Sequence, residues 1–275
     1  MEAYEELKKS ARGHKSDYRL DPRPLAPRSQ AEVVGATHKP TGLRVAFKRL
    51  FNFSVDSVAR MRREIEFGKL LDECPFVTPI FDSSQAFDWF VMPIADGNAD
   101  EWKQPWAAEG ELANLLAATC NALESAHRRG WIHRDVKPTN ILRIADQWTL
   151  ADWGLNRRPR GQTTDPHRTR VGAEYGTPGF AAPELSDDAH EAMPAADIYS
   201  VGQLIGWALT GKWPKPNLPL LPDNTGWREV VTLATAANSD DRPQTVGEFR
   251  SIVSSKTGTK LTVCPTCVFG GSQNA

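Results

Sequence analysis

The feature that most constrains this chain is a run of eight residues, His133-Arg134-Asp135-Val136-Lys137-Pro138-Thr139-Asn140. The run places a carboxylate, an ammonium group and a carboxamide in one short loop. Asp152-Trp153-Gly154 follows and adds a second carboxylate with a glycine behind it. Chance would produce six specified types in eight positions at about 10⁻⁸ per starting position on average residue usage. The two runs therefore predict a site that holds a divalent metal ion and phosphate.

A third run, Gly176-Thr177-Pro178-Gly179-Phe180-Ala181-Ala182-Pro183-Glu184, completes the pattern. In order and spacing the three runs resemble the catalytic loop, the metal-binding loop and the end of the activation segment of the eukaryotic-type serine/threonine protein kinases. The resemblance implies an α+β, two-lobed protein kinase-like fold over residues 18–254, with a small β-rich N-lobe that has one helix and a larger α-helical C-lobe. The expected divisions are a lead-in at residues 1–17, an N-lobe at about 18–92, a hinge at about 93–97, a C-lobe at about 98–254 and a tail at 255–275.

Length and charge limit the other classes of protein. A chain of 275 residues is long enough for one large or two-lobed domain. A formal net charge of −1 provides no basic field for nucleic acid or an anionic membrane. The sequence contains no apolar stretch of the length of a membrane span, and its charged first residues have no apolar signal segment. We therefore expect a cytoplasmic protein without nucleic-acid or membrane partners; the oligomeric state stays open.

The run Val45-Ala46-Phe47-Lys48 resembles the kinase strand whose lysine binds the α- and β-phosphates of the nucleotide. Thr41-Gly42 is a plausible turn between this strand and one at residues 32–37. A kinase also needs a glutamate on the next helix, predicted at residues 56–71, to pair with Lys48. Glu64 and Glu66 both flank the apolar stripe of that helix, so periodicity does not choose between them, and the register against the family favours Glu64.

The segment Phe90-Val91-Met92-Pro93-Ile94-Ala95 takes the place of the family's hinge, which binds adenine through backbone groups. Proline lacks only the N–H, so Pro93 can still offer its carbonyl while Ala95 donates its N–H. Met92 would stand at the entrance to the pocket behind the adenine. The resemblance also implies three apolar contacts to the base, from Leu142 on one face and from Val33 and Ala46 on the other.

The catalytic roles follow from the resemblance. Asp135 orients the attacking hydroxyl or accepts its proton, Lys137 neutralises charge at the γ-phosphate, and Asn140 and Asp152 hold Mg²⁺. Lys137 together with Thr177 favours serine or threonine on a protein substrate as the acceptor of the γ-phosphate of ATP. His133 is expected to pack and hydrogen-bond, and Trp153 stands where phenylalanine is usual. By the same resemblance Asp197 holds the backbone of the catalytic loop and Arg242 pairs with Glu184.

An arginine directly before the catalytic aspartate, here Arg134, can pair with a phosphorylated activation segment. That segment carries Thr163, Thr164 and Thr169 among several arginines. Two interpretations stay open for it: a switch that is autophosphorylated on one of these threonines, or a solvated basic loop.

The phosphate-binding loop departs from the family. Ala26, Arg28 and Ala31 occupy the three positions of its glycines, which normally let backbone N–H groups approach phosphate. Either Arg28 replaces these donors with a side-chain charge, or nucleotide is held weakly or not at all. The alternative function is therefore a pseudokinase that serves as a regulatory interaction module. A small-molecule kinase of the aminoglycoside-phosphotransferase type is the weakest alternative, since the third run is a protein-kinase feature.

Cys264-Pro265-Thr266-Cys267 has the spacing of half a zinc site, but no second such pair occurs. Cys74 and Cys120 fall inside the kinase-like body. Three interpretations remain for the tail: an exposed dithiol, a metal site completed by another chain, or a tail without metal.

Overall fold

The computed structural model of the chain describes residues 2–26, 31–102, 105–106, 110–155, 176–187 and 193–269. The fold has two lobes, a small one built on an antiparallel sheet and a larger helical one, so the predicted α+β kinase-like architecture is confirmed. No helix in these residues is both long and apolar enough to cross a membrane.

The N-lobe sheet has five antiparallel strands in the order β1-β2-β3-β5-β4. Lys48 is paired with Val33 on one side and with Phe90 on the other. Ala46 lies on the same face, because successive side chains of a strand alternate between faces, while Phe47 points into the N-lobe core. The strands are β1 (Tyr18–Pro24), β2 (Ala31–His38), β3 (Arg44–Leu50), β4 (Asp82–Ser83) and β5 (Trp89–Met92).

The first residues form a docked helix, α1 (Glu2–Ser10). Leu7 is fully buried in the N-lobe core, and the ring of Tyr4 stacks on Phe81 with centroids 4.6 Å apart. Lys8 also pairs with Asp72 at 2.7 Å. The lead-in therefore forms a helix that packs on the N-lobe, because its apolar residues lie on a single helical face.

Helix α2 (Val55–Leu70) begins at Ser54, whose hydroxyl accepts the backbone N–H of Ser57. This bond satisfies one of the free N–H groups at the start of the helix. Met61 and Ile65 are buried against the β3 and β5 side of the sheet. This packing fixes the rotation of the helix and so decides which of its glutamates faces β3.

The C-lobe is built around α5 (Pro194–Thr210), which is buried along most of its length and ends at Gly211 in the left-handed conformation (φ +66°). A helix with no polar face must be buried. A three-stranded antiparallel sheet lies beside the catalytic loop. Its strands are β6 (Gly97–Asn98), β7 (Ile141–Ile144) and β8 (Gln147–Leu150). The helices are α3 (Glu111–His127), α4 (Glu184–Asp187), α5 (Pro194–Thr210), α6 (Thr225–Ala234), α7 (Val246–Thr257) and α8 (Pro265–Phe269).

The residues that follow α7 pack on the C-lobe as far as residue 269. Leu261 and Cys267 are buried in the main C-lobe core. The side chain of Asn121 on α3 donates to the carbonyl of Thr262 at 2.9 Å and accepts the N–H of Cys264 at 3.0 Å. Burial of these apolar side chains therefore continues the C-lobe core past α7.

Candidate active site

The lysine of β3 makes the central ion pair of the cleft. Lys48 Nζ lies 2.7 Å from both carboxylate oxygens of Glu64 and 3.4 Å from Asp152 Oδ1. Burial alone would lower the pKa of Lys48, but the carboxylates of Asp152 and Glu64 raise it well above its ordinary value. The positive charge of Lys48 lowers the pKa of Asp152 in turn. At neutral pH the site therefore presents an ammonium group and an ionised metal-type ligand side by side.

The choice between the two glutamates of α2 is settled by their contacts. Glu64 is 8% exposed and faces Lys48. Glu66 lies on the other side of the helix, where its carboxylate accepts a hydrogen bond from Arg62 at 2.7 Å. The structure thus brings together the pair that the sequence register favoured.

The catalytic loop and the third run meet in what we call the catalytic cluster: Asp135, Lys137, Asn140 and Thr177. Lys137 Nζ lies 2.8 Å from Asp135 Oδ2 and 2.7 Å from the hydroxyl of Thr177. The Thr177 hydroxyl donates to Asp135 Oδ1 at 2.7 Å. Asp135 thus accepts a hydrogen bond from an aliphatic alcohol through one oxygen while the other contacts a cation.

Asn140 is the fourth member of the catalytic cluster. Its amide nitrogen donates to the backbone carbonyl of Asp135 at 2.9 Å and to Asp135 Oδ2 at 3.1 Å. Because the nitrogen is committed to these bonds, the amide oxygen is the atom that Asn140 can offer to a cation. A carboxamide oxygen and the ionised carboxylate of Asp152 are ligands that suit Mg²⁺, so these residues fit the metal that the sequence implies.

Asp197, fully buried at the first turn of α5, holds the catalytic loop by its backbone. Its two oxygens accept the N–H groups of His133 at 2.9 Å and Arg134 at 2.8 Å. His127 Nε2 also donates to Asp197, at 2.8 Å. Burial would raise the pKa of Asp197, but the bond from His127 and the nearby charges lower it. Helical periodicity gives no signal for this contact of His127, which the sequence analysis did not predict.

His133 and Trp153 pack together beneath the loop. The Nδ1 atom of His133 accepts the N–H of Asp135 at 3.2 Å, so Nε2 carries the proton and donates to the Ala151 carbonyl at 3.0 Å. The indole of Trp153 contacts this ring edge-on and stacks on Phe67 of α2 with centroids 4.0 Å apart. These contacts agree with the packing role expected for both side chains. The sequence analysis did not predict the contact of Phe67 with Trp153.

A second link joins α2 to the metal-binding loop. Arg63 Nε donates to the backbone carbonyl of Gly154 at 3.1 Å. Asp152 itself has a positive φ of 61°, a conformation that costs free energy for a residue with a side chain. The surrounding contacts therefore hold Asp152 in a strained orientation toward Lys48, and the arginine before Glu64 is one of the residues that position this loop.

The residues expected around the adenine come from the N-lobe sheet, from the segment after β5 and from β7. Val33, Ala46 and Met92 belong to the N-lobe sheet, where Ala46 pairs directly with Met92. Met92 also lines a small cavity that Glu64, Phe90 and Trp153 share. Pro93 and Ala95 follow β5, and Leu142 lies on β7, paired with Asn98 and Thr149.

The residues expected to form the phosphate-binding loop lie between β1 and β2 in the chain. Ala26 is exposed at the end of β1 and Ala31 opens β2. Neither residue has a positive φ, so the backbone at these two positions uses none of the freedom that glycine provides. Arg28 lies outside the described residues.

Arg134 is 7% exposed and also has a positive φ, of 69°. Its Nε atom donates to the carbonyl of Leu155 at 2.7 Å, just where the activation segment begins. Thr163, Thr164 and Thr169, with the arginines around them, lie outside the described residues.

Several bacterial kinases are similar to this chain. "Probable serine/threonine-protein kinase PkwA" of Thermomonospora curvata is 32% identical over 54% of this chain and 21% of its own length. Serine/threonine-protein kinase PknA of Mycobacterium tuberculosis is 28% identical over 86% of the chain and 60% of its own length. PknE of Mycobacterium bovis is 30% identical over 70% of the chain and 38% of its own length. The chain thus spans less than two thirds of each of these relatives.

The family model described as "Protein kinase domain" matches residues 29–255. The match includes the Lys48–Glu64 pair, the catalytic cluster and the Asp197 and Arg242 anchors. It covers far more than half of the sequence and agrees with the two-lobed architecture. The chain therefore belongs to the protein kinase domain family.

Proposed function

We propose that this protein is a serine/threonine protein kinase that transfers the γ-phosphate of ATP to a hydroxyl group of a protein substrate, with Mg²⁺ as cofactor. The observation that carries the proposal is the Thr177 hydroxyl at 2.7 Å from Asp135 Oδ1, with Lys137 against both groups. A serine or threonine of a substrate would present the same chemical group to the same carboxylate.

The residues divide the work of phosphoryl transfer, which consists mainly of positioning and of neutralising charge. Asp135 orients the acceptor hydroxyl and takes its proton, and Lys137 offsets charge on the transferred group. Asn140 and Asp152 would hold Mg²⁺, which neutralises the phosphates of ATP. Lys48 is held by Glu64 in position to contact the α- and β-phosphates.

Regulation and location form part of the same proposal. A phosphorylated threonine at 163, 164 or 169 would find a cation in Arg134, whose side chain contacts Leu155 at the start of that segment. Intact-mass analysis of purified protein should then show added phosphate, and an activation segment without phosphate would contradict autophosphorylation.

We place the protein in the cytoplasm, where an ATP-dependent enzyme with four free thiols is expected to work.

The test of the kinase proposal is transfer of label from γ-labelled ATP to the protein itself and to a generic basic substrate. We expect incorporation that requires Mg²⁺ and disappears when the metal is chelated. Label on the α-phosphate should give none, because only the γ-phosphate is transferred. If γ-labelled ATP gave no Mg²⁺-dependent incorporation, the result would contradict the proposal that the protein is a kinase.

The pseudokinase is the second candidate, since Ala26 and Ala31 stand where glycines normally bind phosphate. A thermal shift distinguishes the two functions. A kinase should be stabilised by Mg·ATP through binding to the folded state. A protein with neither a shift nor label transfer would be a regulatory module that acts through a partner.

Replacing Glu64 with glutamine is expected to lower the rate of transfer by about tenfold to 10²-fold. Hydrogen bonds to charged groups contribute about 1.5–3 kcal/mol, and each 1.4 kcal/mol is about tenfold in rate. Glu66→Gln is the matched control, because it removes an exposed i,i+4 pair with Arg62. Steady-state kinetics of both variants checks the prediction, and equal effects would contradict it.

The same pair predicts an acid limb in the pH profile. Burial raises the pKa of Glu64 to about 7 against the opposing charge of Lys48. As the pH falls through about 7 the carboxyl gains a proton, the pair weakens and the rate should drop. The Glu64→Gln variant is neutral throughout, so its profile should lack this limb.

A further inference from the structure

Two cysteines that are far apart in sequence meet where the segment after α2 packs on the C-lobe core. Cys74 Sγ and Cys267 Sγ, 193 positions apart, lie 2.8 Å from each other. Cys74 is 5% and Cys267 2% exposed. Cys264, three residues before Cys267, is only half-buried. We call Cys74, Cys264 and Cys267 the cysteine cluster. A disulfide bond is about 2.05 Å long, so the first two sulfurs are already close to bonding distance.

The contact changes the interpretation of the Cys-Pro-Thr-Cys run. The partner of Cys267 is Cys74 of the same chain, which sequence analysis had set aside as part of the body. A structural zinc site requires four ligands, and within the described ranges no group of three or more His, Cys, Asp or Glu side chains is arranged to hold a metal ion. Thiol chemistry therefore explains the cluster better than metal binding.

We propose that Cys74 and Cys267 are a reversible oxidation site, at which hydrogen peroxide or a related small peroxide joins them in a disulfide. The Cys74 thiolate attacks one peroxide oxygen; the O–O bond breaks, and the leaving hydroxide takes a proton to become water. Cys267 then attacks the sulfenic sulfur of Cys74, an S–S bond forms, and the second hydroxide leaves as water with the proton of Cys267. Two thiols lose two electrons, and one peroxide becomes two waters.

The surroundings assign the first step to Cys74. The hydrogen bond from Cys267, aided by backbone groups of the following residues, lowers the pKa of Cys74 to about 7 despite its burial. The pKa of Cys267 is raised, mainly by the same bond. A thiolate is the reactive form of cysteine, and Cys74 is also the more exposed of the two thiols, at 5% against 2%, so Cys74 is the nucleophile. Cys120, within α3, has its pKa raised by burial to about 12 and serves as the unreactive control.

The bond would join two parts of the fold with different roles. Cys74 lies four residues beyond the end of α2, the helix that carries Glu64. Cys267 lies on α8, which packs on α3 of the C-lobe. Oxidation would therefore attach the segment that leaves α2 to the C-terminal helix and close a loop of most of the chain, which restricts the unfolded state.

The test is treatment of the folded 275-residue chain with hydrogen peroxide, followed by non-reducing peptide mapping and thermal melting. We expect loss of two hydrogen masses, a cross-linked peptide pair that contains Cys74 and Cys267, and a higher melting temperature that a reducing agent reverses. Cys264→Ser and Cys120→Ala should still form this bond, whereas Cys267→Ala should not form it.

Two results would overturn the proposal: no disulfide in the wild-type protein, or a disulfide between Cys264 and Cys267 only. Neither peptide mapping nor thermal melting measures phosphoryl transfer, so the outcome of this test is independent of the kinase proposal. If Cys267→Ala does not fold, the wild-type and Cys264→Ser peptide maps decide the question by themselves.

Discussion

Replacing Asp135 with asparagine is expected to lower the rate of phosphate transfer by about 10²- to 10⁴-fold, the range that a positioned acid–base group contributes. The amide keeps the shape of the carboxylate but cannot take a proton. It also removes the negative charge that Lys137 contacts at 2.8 Å. Nucleotide binding should survive, because Lys48, Asn140 and Asp152 are unchanged. The measurement is single-turnover transfer from γ-labelled ATP, with the ATP-induced thermal shift recorded in parallel.

Asp146→Asn is the matched control for this substitution. Asp146 lies in the turn between β7 and β8, its side chain is 93% exposed, and it pairs with Arg143 at 3.3 Å. The control should transfer phosphate at the wild-type rate. If Asp135→Asn did the same, the catalytic cluster would not be the site of chemistry. Loss of both activity and thermal shift would instead show that the variant has lost its binding site or its fold.

Replacing Arg242 with methionine is expected to lower the free energy of unfolding by about 3–5 kcal/mol, the cost of breaking a buried ion pair at one partner. The Arg242 side chain is fully buried and donates to both oxygens of Glu184, at 2.7 and 2.9 Å. It also donates to the carbonyls of Ala236 and Ala237. Since 1 kcal/mol shifts the melting temperature of a chain of this size by about 2–4 °C, we expect a decrease of about 10 °C.

The exposed pair of Arg228 with Asp223 provides the comparison. Its atoms are 3.7 Å apart, and the Arg228 side chain is 47% exposed. Exposed ion pairs contribute about 0.2–1 kcal/mol, so Arg228→Met should melt within a few degrees of the wild type. Calorimetry or denaturant titration of both variants measures the difference. Similar small effects for the two substitutions would contradict a structural role for the Glu184–Arg242 pair.

Much of the candidate site could be predicted from the sequence because its groups are close in the chain. Asp135, Lys137 and Asn140 belong to one loop, so their meeting requires only local backbone geometry. Helix α5 could be predicted because its residues are apolar on every side. Lys48 of β3 could be predicted because it ends the run Val45-Ala46-Phe47-Lys48. The fold class followed from the order of the three runs.

Contacts between distant elements could not be predicted in this way. Periodicity leaves Glu64 and Glu66 equivalent, and only the packing of α2 on the sheet turns Glu64 toward Lys48. Leu7 docks α1 on the N-lobe, although the lead-in is polar overall. Cys74 and Cys267 are 193 positions apart, so no local sequence pattern indicates that they meet.

The sequence by itself therefore determined the fold class, the chemical groups of the catalytic loop and their order. The tertiary structure alone decided which glutamate serves Lys48, that Thr177 joins Asp135, and that the C-terminal cysteine meets Cys74. The physical reason is that backbone geometry and hydrogen-bonding groups act between near neighbours in the chain. Hydrophobic burial, which brings distant elements together, has no direction, so which side chains it places in contact depends on the packing of the whole molecule.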